Sequence, residues 1–149
     1  MAQIKVVIGD PKAKQSLQKE VKDDAAKPLL GMRIGDRVSG EVLEFPGYEF
    51  EITGGSDFAG FPMRKDVPGI TRKRILEVKG VGVKNKKKYR KKKQKGLRTM
   101  KGMRQRVSVA GNTVYDKTAQ VNMKVIKHGS EPLPFVQKEA AAEGEKKAE

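Results

Sequence analysis

The chain has 149 residues, with 33 Lys and Arg against 18 Asp and Glu, a formal net charge of +15 at neutral pH. It has no cysteine, which excludes a disulfide framework, a Cys-bearing zinc site and a thiol nucleophile. With 36% hydrophobic and 5% aromatic residues it can bury one modest core, so a single domain with appendages is expected. The opening apolar stretch, Ile4 to Ile8, is too short for a signal peptide, and no run approaches the ~18 apolar residues that cross a bilayer. A soluble protein that stays inside the cell is expected.

Strand signals dominate the chain. Ile4, Val6 and Ile8 alternate with Gln3, Lys5 and Val7, and Gly9-Asp10-Pro11-Lys12 reads as a turn. Leu17, Lys19 and Val21 then suggest a second strand, making a hairpin. Asp23 to Lys27 can start one helical turn that Pro28 limits. Val38 to Phe45 reads as a third strand with a bulge at Gly40. Pro46-Gly47 turns the chain, and Tyr48, Phe50 and Ile52 alternate with Glu49 and Glu51. Arg74 to Val78 and Arg106 to Val109 are short strands. Ala119, Val121, Met123 and Val125 form the clearest alternation of the second half. Leu97, Met100 and Met103 fall three apart, a helical stripe that suits a small packing face. Short strands with Gly-rich turns, about six of them, predict an all-β fold, a sandwich or a small β-barrel, with a long basic loop and a flexible C-terminal tail. Residues 1–133 are expected to form that domain, interrupted by a basic arm over 80–106; the Ala/Glu/Lys-rich residues 134–149 suit a flexible end.

Where the charge sits narrows the function. Residues 72–106 carry 17 basic side chains and one acidic, while the segments before and after are close to neutral. An amphipathic helix for a membrane or a partner groove confines its cations to one face. Lys86, Lys87, Lys88, Arg90, Lys91, Lys92 and Lys93 go round every face of a helix, broken only by Tyr89. That pattern suits a segment surrounded by phosphates, where counterion release supplies affinity whatever the sequence. Free in solution such an arm is expected to be extended and mobile, and Tyr89 can stack on a splayed base. A solvated linker and a nuclear-import signal are the plainer alternatives.

Enzymatic signatures are missing. Gly80-Val81-Gly82 lacks the third glycine and the strand-to-helix setting of a dinucleotide loop, and there is no phosphate loop. His128 is the only histidine and reads as an exposed polar residue after the last strand. Asp23-Asp24 falls in an exposed turn. In the segment Thr53 to Arg64, Gly54 and Gly55 allow left-handed angles and close approach, Ser56 and Asp57 can bond back to amides and close a tight turn, Phe61 and Met63 plug an edge, and Arg64-Lys65 emerges as an exposed basic pair.

Ile52-Thr53-Gly54-Gly55-Ser56-Asp57 followed by Gly60-Phe61-Pro62-Met63-Arg64 resembles the signature of the archaeal and eukaryotic small-subunit ribosomal protein six, a family distinct from the bacterial protein of that number. The likeness takes in Asp10-Pro11, Pro28 to Gly31, Ile34-Gly35-Asp36, Gly40 and Pro46-Gly47-Tyr48. It continues through Asp66 to Gly69, Arg72 to Leu76, Lys79-Gly80, Gly111-Asn112-Thr113 and Gln120 to Lys127. It implies a small β-barrel bound to rRNA on the small ribosomal subunit, without catalysis. Two departures stand out: Lys91 to Lys101 resembles an insertion, and Val109-Ala110-Gly111 stands where the family tends to have Val-Arg-Gly, removing one phosphate contact. With no serine after Ser130, the shorter archaeal form is expected, without the phosphorylated helix of the eukaryotic members.

The expected function is a structural constituent of the small subunit, cytoplasmic and ribosome-bound, with small-subunit rRNA and neighbouring ribosomal proteins as partners. No cofactor, metal, membrane or small-molecule substrate is expected. The expected RNA contacts are Arg64, Lys65, Arg72, Lys73, Arg74, Lys84, Lys86, Lys87, Lys88, Tyr89, Arg90, Lys91, Lys92, Lys93, Lys95, Arg98, Lys101, Arg104 and Arg106. The alternative is an architectural DNA- or RNA-binding protein outside the ribosome.

Overall fold

In the computed structural model the described residues are 3–84, 86–88, 97–99, 101–129 and 133, with backbone alone at 23, 24, 86–88 and 97–99. Among the described residues nine strands run in chain order: β1 Gln3–Asp10, β2 Gln15–Lys22, β3 Arg37–Ser39, β4 Glu49–Asp57, β5 Lys73–Glu77, β6 Lys86–Lys88, β7 Leu97–Thr99, β8 Gln105–Val109 and β9 Thr118–Lys127. The only α-helical turn among the described residues is α1, Asp23–Ala26, which passes into a 3-10 turn, Lys27–Leu29, at Pro28.

The alternation read from the sequence builds the main sheet, whose strand order is β2-β1-β9-β4-β3. β1 and β2 are the expected antiparallel hairpin, and β9 lies parallel to β1 and antiparallel to β4. The register sets Ile4 opposite Val21, Val6 opposite Val121, and Met123 opposite both Ile8 and Ile52. Those side chains therefore share one face, and all are buried. Leu29, Leu43, Val114, Met63 and Leu133 join them from the connecting segments. Phe45, Tyr48 and Phe50 add a ring cluster, with Tyr48 stacked on Phe50 at 5.9 Å. The opposite face is polar, with Lys5–Glu20, Lys124–Glu51 and Lys127–Glu49 ion pairs. Apolar residues on one face and charges on the other are what an antiparallel-rich sheet covered on one side requires.

All-β is therefore consistent with the structure, but the described strands do not close into a barrel. The main sheet ends at β2 and β3, while β5–β8 and β6–β7 pair separately. Two strand boundaries also differ from expectation. After three residues, β3 gives way to a 3-10 turn over Gly40–Leu43, in place of a strand to Phe45. Gly40 receives the Phe45 amide and donates to the Tyr48 carbonyl, and Glu44 turns left-handed, so the chain doubles back tightly. Conversely, the tight turn starts only at Asp57, whose Oδ1 accepts the Ala59 amide and whose carbonyl accepts that of Gly60, and Thr53 to Asp57 itself is extended. It prolongs β4 alongside β9, with register shifts between Ile52 and Gly54 and between Ser56 and Asp57. Gly55 serves close approach here, since a side chain would strike the carbonyl of Gln120.

Candidate nucleic-acid interface

The basic segment leaves and re-enters the body through one ladder. β5 pairs antiparallel with β8, from Lys73 opposite Val109 to Glu77 opposite Gln105. Farther out, β6 pairs antiparallel with β7, Lys86 opposite Thr99 and Lys88 opposite Leu97. Continued without a break, the first register would set Lys86 opposite residue 96; the outgoing side has three extra residues. The slack lies where Val83 bonds back to Gly80, with Gly80 and Gly82 at positive φ. The arm is thus an interrupted antiparallel excursion in its described parts. The stripe of Leu97, Met100 and Met103 is not helical at Leu97, which is on β7; Met100 lies outside the described residues.

The base of the ladder is tied to the body. Met63 bridges to Ala110, with the Ala110 amide donating to Pro62 and the Arg64 amide to Ala110. Val109 and Ala110 are buried.

Apart from Lys65, which is exposed, the expected RNA contacts divide into three groups. Arg64 and Arg72 are engaged within the protein. The Arg64 side chain is only 12% exposed; its Nε donates to Asp66 at 2.8 Å, and its Nη2 lies 4.0 Å from Glu77. Hydrogen bonding to Asp66 holds Arg64 charged, and the same bond holds the Asp66 carboxyl below its usual range. Arg64 is therefore not the exposed cation expected beside Lys65, which is exposed. Arg72 meets Asp57, whose side chain is fully buried: Nη2 donates to Oδ1 at 3.0 Å and Nε to Oδ2. Its guanidinium also sits 4.8 Å from the Phe58 ring centroid and 5.0 Å from that of Phe61. Asp57 further accepts the Ala59 amide and the Tyr115 hydroxyl, at 3.1 and 3.3 Å. The Arg72 hydrogen bonds outweigh burial and keep its carboxyl below the usual range. Burial and the Asp57 charge push the Tyr115 hydroxyl up. Phe61 faces this cation, while Met63 enters the core.

Lys73, Arg74, Lys84, Lys101, Arg104 and Arg106 form the second group. All are exposed, at the ladder or on the segments leaving it. In the third group, Lys86, Lys87, Lys88 and Arg98 lie on β6 and β7 by their backbone alone, and Tyr89, Arg90, Lys91, Lys92, Lys93 and Lys95 fall outside the described residues.

His128 departs from expectation as well. Its side chain is 28% exposed and its Nε2 lies 3.0 Å from Asp10, which ties the end of β9 to the end of β1. Burial pushes the Asp10 carboxyl up, but the His128 bond and the amides of Lys12 and Ala13 carry it below its usual range.

A family model described as ribosomal protein S6e matches residues 4–138. The small ribosomal subunit protein eS6 of Archaeoglobus fulgidus is 44% identical over 140 residues, which cover 92% of this chain and 98% of that protein. Its counterpart from Methanoculleus marisnigri is 39% identical over 145 residues, 96% of this chain and all of that one. The protein of the same name from Nanoarchaeum equitans is 37% identical over 136 residues, 91% and 90% of the two chains. Matched along almost its whole length, the chain belongs to the ribosomal protein S6e family.

Proposed function

We propose that the protein is a structural constituent of the small ribosomal subunit, held on small-subunit rRNA by the basic arm, and that it catalyses no reaction. The observation that carries this is the confinement of the cationic excess. Residues 72–106, with 17 basic side chains and one acidic, leave and rejoin an all-β body at one ladder. A projecting ladder of that charge offers cations to phosphates on more than one side, and each phosphate neutralised releases condensed counterions. Exposed Lys73, Arg74, Lys84, Lys101, Arg104 and Arg106 line the base of the arm, and the lysine run follows in sequence. Arg64 and Arg72 act differently, as internal ties that hold the arm's root. The body comprises the sheet, with the arm as its functional appendage and residues 134–149 as a tail. The names of its relatives support a cytoplasmic, ribosome-bound place beside other ribosomal proteins. Sedimentation of cell extract after a high-salt wash tests this: the protein is expected to stay with small subunits. Its release to the top of the gradient, with subunits intact, would contradict the assignment.

A further inference from the structure

The ribbon at the root of the arm has two unlike faces. Directly opposed residues of β5 and β8 share a face, so Arg74, Leu76, Arg106 and Ser108 stand together on one side. The other side turns to the body: Val109 there is fully buried, and Glu77 faces the Arg64 guanidinium. Glu77 is the one acidic residue of 72–106, so the outer face carries none. Arg74 and Arg106 are exposed, and no ion pair engages either among the described residues. Between them Leu76 is 51% exposed, an apolar side chain set among cations. Arg74 and Arg106 are diagonal neighbours across the ladder, with backbones about 7–8 Å apart.

We infer that this face is a second RNA site, rigid where the arm is electrostatic, which docks on the shallow minor groove of an A-form RNA duplex. The inference rests on the rRNA-binding function proposed above and adds the form of RNA recognised. A-form RNA has a major groove too narrow and deep for a ribbon, whereas its wide minor groove displays riboses and 2′-hydroxyls to a flat surface. Leu76 lies on the ribose edges, Ser108 bonds a 2′-hydroxyl, and Arg74 and Arg106 reach the bordering phosphates. Single-stranded RNA is held by stacking bases on aromatic rings, and β5 and β8 contain no aromatic residue. The β5–β8 pairing fixes the spacing of Arg74 and Arg106, and the Arg72–Asp57 pair ties the residue just before β5 to the end of β4.

The test uses the full-length protein and an RNA duplex of about 16 base pairs, with the DNA duplex and the single-stranded RNA of the same sequence as competitors. The double variant R74A/R106A and the single variant L76D are compared with K12A/K22A, which removes equal charge from exposed sites on the β1–β2 hairpin. Circular dichroism verifies that each is folded. R74A/R106A and L76D are each expected to weaken RNA-duplex binding by about 10-fold or more, and K12A/K22A by much less. Hydroxyl-radical protection of riboses in a paired region should fade in the first two variants alone. Equal losses in R74A/R106A and K12A/K22A would overturn the site, as net charge would explain them. Equal affinity for the DNA duplex, or tighter binding of single strands with the same sensitivity, would overturn the assignment to A-form RNA. If the parent binds rRNA and only substitutions within residues 84–104 weaken it, the ribbon site fails and the rRNA function stands; a parent that binds no RNA defeats both.

Discussion

Replacing Asp57 should reveal how far the β-body depends on one buried charge. Its carboxylate is fully buried and accepts from Nε and Nη2 of Arg72, the Ala59 amide and the Tyr115 hydroxyl. Asp57→Ala strands those donors and leaves a guanidinium between two phenyl rings with no counter-charge. Breaking a fully buried pair by removing one partner costs about 3–5 kcal/mol. Here Arg72 is 35% exposed and Ala59 is exposed, so water can reach part of the stranded set. The expected loss is therefore about 2–3 kcal/mol, or roughly 4–12 °C in Tm for a chain of this size. The pH dependence adds a second reading. The carboxyl is depressed in the folded state, so its contribution is complete above the unfolded value near ~3.9 and is lost as pH falls through the lower folded value. The Tm gap between parent and Asp57→Asn should be constant near neutrality and shrink in acid. Thermal unfolding followed by circular dichroism from neutrality to acid measures both. A variant that melts within a degree of the parent, or a gap that persists unchanged at low pH, would refute the account of this pair.

Gly111→Ala should destabilise the fold by about 1–3 kcal/mol, read as a lower denaturant midpoint, because the added methyl would overlap the Gly69 carbonyl. An unchanged midpoint would mean the loop at 69–70 yields freely. If six to ten phosphates are neutralised, affinity for rRNA fragments should fall ~10³–10⁵-fold between about 50 and 200 mM salt in filter binding; a flat profile would contradict the arm as main anchor. Tyr89→Ala should weaken rRNA binding by about 1–3 kcal/mol without altering the salt slope, if the ring stacks on a base. A loss of a few tenths would leave Tyr89 as a mere break in the lysine run.

The strands with one buried face were legible because burial imposes period two: Ile4, Val6 and Ile8, then Phe50 and Ile52, then Val121, Met123 and Val125, all lie where alternation put them. What alternation cannot carry is pairing partner and curvature. Strand count left a sandwich or a barrel open and the family resemblance chose the barrel, yet β5 and β8 pair with each other and leave the main sheet open. Gly54 and Gly55 look like a turn locally, but β9 runs beside them and holds them extended. Which cations are engaged within the protein was illegible for a related reason. Counting cations treats each as free, whereas Arg72 is tied to an aspartate 15 positions earlier. One signal was available: an acidic residue followed closely by Phe58 and Phe61 needs a cation once buried. The outer ribbon face was also visible in Arg74-Ile75-Leu76-Glu77, where the second and fourth residues turn inward. What no local pattern supplied was that Leu76 would stay exposed.

Replacing residues 84–104 with a short Gly/Ser connector tests the central claim most directly. Every residue of the main sheet and of the β5–β8 ladder lies outside that range, and Glu77 already stands opposite Gln105, so the closure is short. The shortened protein is expected to retain the parent's far-ultraviolet dichroism and cooperative melting while losing stable association with small-subunit rRNA in filter binding. Near-parental affinity in a protein that melts as the parent does would contradict the account, because the arm would then not be what holds the RNA.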